Sequence, residues 1–166
     1  MKKRILCALL ALCMLIGFMP ALDAARAETF TAYVVDSSMR VYKSPSTSAE
    51  YMTVYYGSSY PCDAIQGDWA RLQNGKYTGF CLISDITRQN PSTTAVKMYI
   101  NTNGVPVYAN KSTGARVMMT LSKNDCYTAT CVTLDGEWTR MINGSYVGFV
   151  QSKYLSLTPI SDETSY

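Results

Sequence analysis

A stretch of twelve residues occurs twice in this chain. The first copy runs from Trp69 to Phe80 and the second from Trp138 to Phe149, with Trp, Arg, Asn, Gly, Tyr, Gly and Phe at the same seven places, all offset by 69 residues. Such a repeat means one supersecondary unit built twice, so the fold must be assembled from two similar halves. Each copy centres on an Asn-Gly dipeptide between short runs of alternating side chains. That is a strong hairpin signal, because a two-residue type I′ turn needs positive φ at both central positions. With Asn74-Gly75 as the turn, Trp69 is expected to pair with Phe80, Ala70 with Gly79, Arg71 with Thr78 and Leu72 with Tyr77. The second copy repeats this as Trp138 with Phe149, Thr139 with Gly148, Arg140 with Val147 and Met141 with Tyr146. One face of each hairpin then carries Trp, Arg and Phe, and the other aliphatic residues plus Tyr. A glycine opposite a small residue leaves room for another part of the chain to cross.

The first residues read differently. Met1 to Arg4 is basic, Ile5 to Phe18 is an uncharged apolar run of 14 residues, and Ala25-Arg26-Ala27 has the small-x-small form of a signal-peptidase site. Fourteen helical residues fall short of a roughly 30 Å hydrocarbon core. Residues 1–27 are therefore expected to be a secretory signal cut after Ala27, giving a secreted or wall-associated protein with no stable membrane anchor. Four of the fifteen Lys and Arg lie in this leader, as does one of the twelve acidic residues, leaving 11 of each sign in the mature chain. A neutral chain is not an electrostatic binder of nucleic acid or of anionic membrane. The chain has thirteen Tyr and no His, which excludes His-based catalysis and His-containing metal sites.

Cys7 and Cys13 leave with the leader, so Cys62, Cys81, Cys126 and Cys131 remain. In an exported chain they are expected to form at least one disulfide, and the sequence leaves three connectivities open. Cys126 and Cys131 lie five apart in one strand and point to opposite faces unless a bulge intervenes. Zinc ligation is disfavoured by the absence of C-x-x-C spacing; buried free thiols are the plainer alternative.

Along the mature chain, short apolar runs alternate with turn residues and no helical periodicity appears. Strands are expected at Thr31–Val35, Met39–Tyr42, Tyr51–Tyr56 and Tyr60–Gln66 before the first hairpin. The second unit places them at Lys97–Ile100, Val105–Tyr108, Arg116–Leu121 and Cys126–Leu134. From the Val of each Val-Tyr pair to the following Trp is three residues longer in the second unit, an insertion cheapest in turns and strand ends. Residues 29–87 and 96–156 form the two units, 88–95 a polar, Pro-containing linker, and 157–166 a flexible tail. Five or so short, strongly bent strands in about 60 residues curl into a small barrel rather than a sandwich.

The run Met39-Arg40-Val41-Tyr42-Lys43-Ser44-Pro45-Ser46-Thr47-Ser48, then Gly57, Asp68 to Leu72 and Asn74 to Phe80, resembles the bacterial SH3-type domains, small β-barrels of exported cell-envelope proteins. Val105 to Ala115, Glu137 to Met141 and Asn143 to Phe149 play the same parts in the second unit. The resemblance covers nearly the whole mature chain and implies an all-β fold of two tandem SH3-like β-barrels. It also implies a targeting module for cell-wall peptidoglycan. Tyr42 and Ser44, and then Tyr108 and Asn110, stand where the family has Arg and Gly.

No group of residues assembles a reaction centre. A cysteine nucleophile needs a base to form its thiolate, and Asp135 and Glu137 flank a turn glycine. The chain reads as non-enzymatic, without metal or cofactor. Binding is the expected chemistry, through Trp69, Arg71 and Phe80 and through Trp138, Arg140 and Phe149. Aromatic rings contact sugar CH groups and a guanidinium pairs with a stem-peptide carboxylate. The competing expectation is that Trp69 and Trp138 fill the cores. Tyr42 and Tyr108 form a second candidate, with strand packing as the alternative. The expected partner is peptidoglycan or another wall component held by two weak sites acting together. An extracellular protein, with this chain as accessory or inhibitor subunit, is the alternative partner.

Overall fold

The computed structural model describes residues 29–161, and the expected signal peptide and the last five residues of the tail lie outside them. The described chain is all-β, in two seven-stranded antiparallel sheets. The first contains β1 (Phe30–Val34), β2 (Ser38–Tyr42), β3 (Tyr51–Tyr55), β4 (Ser59–Gln66), β5 (Trp69–Asn74), β6 (Tyr77–Leu82) and β7 (Ile86–Thr87), in the order β3-β2-β6-β5-β4-β1-β7. The second contains β8 (Val96–Ile100), β9 (Val105–Tyr108), β10 (Val117–Leu121), β11 (Cys126–Val132), β12 (Trp138–Asn143), β13 (Tyr146–Gln151) and β14 (Leu155–Ser156), in the equivalent order. Each sheet bends round its own core. In the first unit Ala32, Val34, Met39, Val54, Cys62, Leu72, Cys81 and Ile86, from all seven strands, meet in one cluster. The ladder does not close between β3 and β7, so neither sheet is a hydrogen-bonded closed barrel. A single turn of 3₁₀ helix precedes β7 and another precedes β14; neither these turns nor the two-residue strands have a periodicity long enough to read in sequence.

Both expected hairpins form, with a different turn. Asn74 pairs with Tyr77, Arg71 with Phe80 and Trp69 with Leu82, which makes Gly75-Lys76 the loop. Gly75 has φ of 60° and Lys76 is not among the positive-φ residues. That is the pattern of a type II′ turn, with glycine at the first central position. The partners thus move by two residues from the Asn-Gly register; a shift of two leaves every side chain on its expected face. The second hairpin makes the same turn at Gly144-Ser145. Gly79 and Gly148 have the crossing role expected of them. They sit opposite Leu72 and Met141, and a Cβ at either would collide with Cγ1 of Val41 or Val107.

The units are packed against each other. Val35, just after β1, is fully buried among Tyr108, Cys131, Trp138 and Phe149 of the second unit. Leu134 returns the contact, packing on the first unit's core while its N–H donates to the Ile86 carbonyl at 2.8 Å. The linker joins in, because the Gln89 side-chain oxygen accepts from the Val132 N–H at 2.9 Å. Lys111 places its ammonium between Asp36 (3.4 Å) and Asp85 (3.3 Å). The tail is anchored as far as Ile160, which exchanges two hydrogen bonds with the Asn124 side chain at 2.7 and 3.0 Å.

Two outcomes follow from this packing. Gly79→Ala should cost about 1–3 kcal/mol by overpacking, and in a double-mutant cycle Val41→Ala should couple favourably to it by at least about 0.5 kcal/mol; additive effects by chemical denaturation would contradict the crossing. Burial is the main influence on Asp85 and holds its carboxyl above the usual range, with Lys111 opposing the shift. A raised folded value means that Asp85 favours the folded state most below its unfolded pKa of about 4, and that this contribution is lost as pH rises through the folded value. Lys111→Met should therefore cost about 2 kcal/mol at pH 7, where a part-buried carboxylate loses its cation, and much less at acid pH, where Asp85 is protonated. An equal deficit at both pH values, measured by urea unfolding, would refute this role.

Candidate functional site

Strand pairing lines up a row of side chains on the outside of each sheet. In the first unit Arg71 lies opposite Phe80, Phe80 opposite Tyr42 and Tyr42 opposite Tyr51. Directly opposed residues of antiparallel strands point the same way, so the row runs across β5, β6, β2 and β3 on one face. Trp69 joins it with its ring edge-on to Tyr42 at 5.6 Å, and Tyr42 also packs on Tyr51 at 5.7 Å. Arg40 lies over the Tyr51 ring at 4.5 Å. The second unit repeats the row as Arg140, Phe149, Tyr108 and Val117, with Trp138 edge-on to Tyr108 at 5.7 Å. Neither Trp belongs to the inner core of its own unit; alternation gives the inside to Ala70 and Leu72 on β5 and to Met141 on β12.

The two rows meet different surroundings. Trp69 and Phe80 are half-buried and Arg71 is exposed, whereas Trp138, Phe149 and Arg140 are all buried; Tyr42 and Tyr108, the second candidate pair, are buried alike in both units and pack between strands. The difference is the first unit itself: Val35 and the Lys111 bridge cover the second row, and Arg140 stacks on Tyr56 of the first unit at 4.6 Å. The expectation of two equivalent accessible faces is thus corrected to one.

The two arginines differ accordingly. The Arg71 side chain, 45% exposed, donates from Nε to Asp63 Oδ1 at 2.7 Å. Its two terminal nitrogens have no partner among the described residues. Hydrogen bonds from Arg71, and less strongly from Gln73, hold the Asp63 carboxyl below its ordinary range. In the second unit the residue at the Asp63 position is Thr130, and Arg140 donates to its hydroxyl at 2.9 Å while only 8% exposed. Both partners sit at a bulge, where the register shifts between Cys62 and Ala64 and between Ala129 and Cys131. Asp63 was not readable as a site residue, since only the bulge turns it toward Arg71.

A second feature belongs to the first unit alone. An open groove of about 480 Å³ lies between β3 and the tip of the β5–β6 hairpin, walled by Val41, Tyr51, Val54, Tyr60, Leu72 and Tyr77. At the same place the second unit has about 20 Å³, lined by Met118, Met119 and Met141. Met141 stands where the first unit has Leu72, and Met118 is an extra residue at the bulge between Val117 and Met119.

The expected disulfide does not form in the structure: Cys62, Cys81, Cys126 and Cys131 are free thiols. Cys62 and Cys81 lie on β4 and β6 with β5 between them. Two strand spacings of roughly 5 Å exceed the approximately 7 Å limit for bridging. The bulge at Thr130 brings Cys126 and Cys131 to the same face, but five residues of strand still separate them by roughly 16 Å. Burial raises the pKa of Cys62, Cys81 and Cys131, most of all for Cys81. These are protonated core side chains rather than nucleophiles.

No protein-family model and no curated protein matches the chain. Among solved structures it is similar to NlpC2 from Trichomonas vaginalis, at 10% identity over 78% of this chain and 48% of that one, with a TM-score of 0.35. It is also similar to NlpC1 from the same organism, at 12% identity over 80% and 47% of the two chains, with a TM-score of 0.34. The chain spans about half the length of these structures.

The asymmetry should appear in stability. Arg71→Ala should change it by less than about 0.5 kcal/mol, and Arg140→Ala should cost about 1–2 kcal/mol through the lost hydrogen bond and ring contact. Trp138→Ala should cost about 3–5 kcal/mol as a truncation in the interface, and Trp69→Ala less. Equal losses for the two arginine variants in thermal unfolding would contradict the covered second face.

Proposed function

We propose that this chain is a secreted, non-catalytic binding protein built from two bacterial SH3-type units, and that it recognises cell-wall peptidoglycan through the first of them. The observation carrying this reading is the open row of Trp69, Arg71, Phe80 and Tyr51, set beside its covered counterpart in the second unit. Half-buried rings held edge to face present firm apolar surfaces at little entropic cost to a sugar ring. Arg71 is aimed by Asp63 through Nε and keeps its terminal donors for a carboxylate such as that of a stem peptide. The lack of His in the sequence and the protonated state of the buried thiols argue against a hydrolytic role. Export rests on the leader read from the sequence.

The test is co-sedimentation with peptidoglycan stripped of protein. Arg71→Ala should keep the parent's melting temperature and lose about tenfold in affinity, the scale of one charge-assisted hydrogen-bonded pair. Arg140→Ala, compared at equal folded fraction, should bind as the parent does. A stable Arg71→Ala that sediments like the parent would remove this face as the site. A parent that fails to sediment would remove the wall as the ligand.

A further inference from the structure

The first sheet ends on an unprotected strand. β3 pairs with β2 on one side and with nothing on the other among the described residues. Its five residues, Tyr51-Met52-Thr53-Val54-Tyr55, contain no charge and no proline, the usual devices that blunt an edge. Tyr51, Met52 and Tyr55 are 47%, 62% and 65% exposed. The equivalent edge, β10, is broken by the bulge between Val117 and Met119, which twists an edge away from pairing. Only one of the two edges is left flat.

The backbone register of β3 fixes which groups are free. Lys43 N–H donates to Glu50 O and Tyr56 N–H to Ser37 O at the two ends of the β2–β3 ladder. Antiparallel ladders alternate, so Met52 and Val54 direct their N–H and C=O to β2, whereas Tyr51, Thr53 and Tyr55 direct theirs outward. The sequence of the strand reads nearly the same in both directions about Thr53. We propose that β3 pairs antiparallel with β3 of a second copy of this chain about a two-fold axis at Thr53. Thr53 then lies opposite Thr53 of the other copy, Tyr51 opposite Tyr55, and Met52 opposite Val54. All three outward-facing positions fall on hydrogen-bonded pairs, so the free donors and acceptors of both edges are satisfied together. No paired position sets like charges opposite one another, and the nearby Arg40 is held over Tyr51. Met52 and Val54 face the groove side, so the two grooves become neighbours across the axis.

The exposed parts of these side chains come to roughly 350 Å² per copy, or about 700 Å² for the pair, below the roughly 1,200 Å² of a stable interface. Association is therefore concentration dependent. It shares Tyr51 with the proposed wall-binding row but none of the residues substituted to test that reading.

Sedimentation equilibrium of the purified protein across roughly 10 µM to 1 mM should show a monomer passing to a dimer. Thr53→Pro removes the outward N–H at the axis, a position where an edge strand tolerates proline, and should be monomeric throughout with an unchanged circular dichroism spectrum. Thr53→Glu, which sets two carboxylates face to face at the axis, should do the same and carries the test if the proline variant unfolds. Thr53→Cys in a Cys126→Ser background should form an intermolecular disulfide under mild oxidation, since such a pair has its Cα atoms about 5.5 Å apart. A parent that is monomeric at every concentration overturns the proposal, including the case in which it captures an extended peptide at β3 instead. A dimer that both the Glu variant and any folded Pro variant leave intact overturns it equally.

Discussion

The arrangement of the molecule depends on the burial of Val35 in the aromatic row of the second unit. A small aliphatic side chain at the end of β1 fills the space among Tyr108, Trp138 and Phe149, and apolar burial supplies attraction without direction. Direction comes from Lys111, whose ammonium must reach Asp36 and Asp85 together, and from the backbone bond of Leu134 to Ile86. None of the three has a counterpart that would let another unit dock on the first row in the same way. Strand pairing puts Asn101, Thr102 and Tyr154 at the positions of Val35, Asp36 and Asp85, and Pro45 at that of Lys111. The interface is made once, and the first row stays outside it.

The second unit is three residues longer between its Val-Tyr pair and its Trp, and two of the three serve this contact. Of the three residues that lengthen it, one is Met118 at the β10 bulge and two enlarge the turn between β11 and β12. The enlarged turn carries Leu134 into the first unit's core cluster. The bulge residue, with Met119 and Met141, lines the site where the first unit keeps its groove. Unbranched methionine suits such filling because it adapts to an irregular gap. Insertions that read as slack in turns are here the residues that make the two copies unequal.

The repeat, the longer strands and the face of every hairpin side chain were legible in the sequence, because period-2 alternation and turn glycines are local signals; the order of the strands in each sheet and the two-residue strands were not. The turn type was not, since Asn-Gly fits two positions of a two-residue loop and the choice between them rests on the twist of the strands around it. Placement of Trp69 and Trp138 outside the inner cores followed from alternation with Leu72 and Met141, yet the expectation that large aromatics fill small cores competed with it. The burial of Arg140 and exposure of Arg71 were beyond local reading, because identical motifs differ only in what a distant part of the chain lays over them. The cysteines show the same limit. Their spacing permits bridges that the strand between Cys62 and Cys81 forbids.

A tandem repeat invites the idea of two equal sites, and on a polymer two weak sites would reinforce each other only if both were free at once. Here the second row is committed to holding the units together, so one chain offers one open row. The cost of that commitment is offset by rigidity: a unit held by an apolar plug, a bridging lysine and linker and turn contacts cannot swing freely, and its neighbour's open face stays aimed in a fixed direction relative to the edge at β3. Lower conformational freedom before binding leaves less entropy to be lost on binding. Reinforcement between sites would then have to come from outside the chain, and the flat β3 edge is where a second open row could be brought alongside.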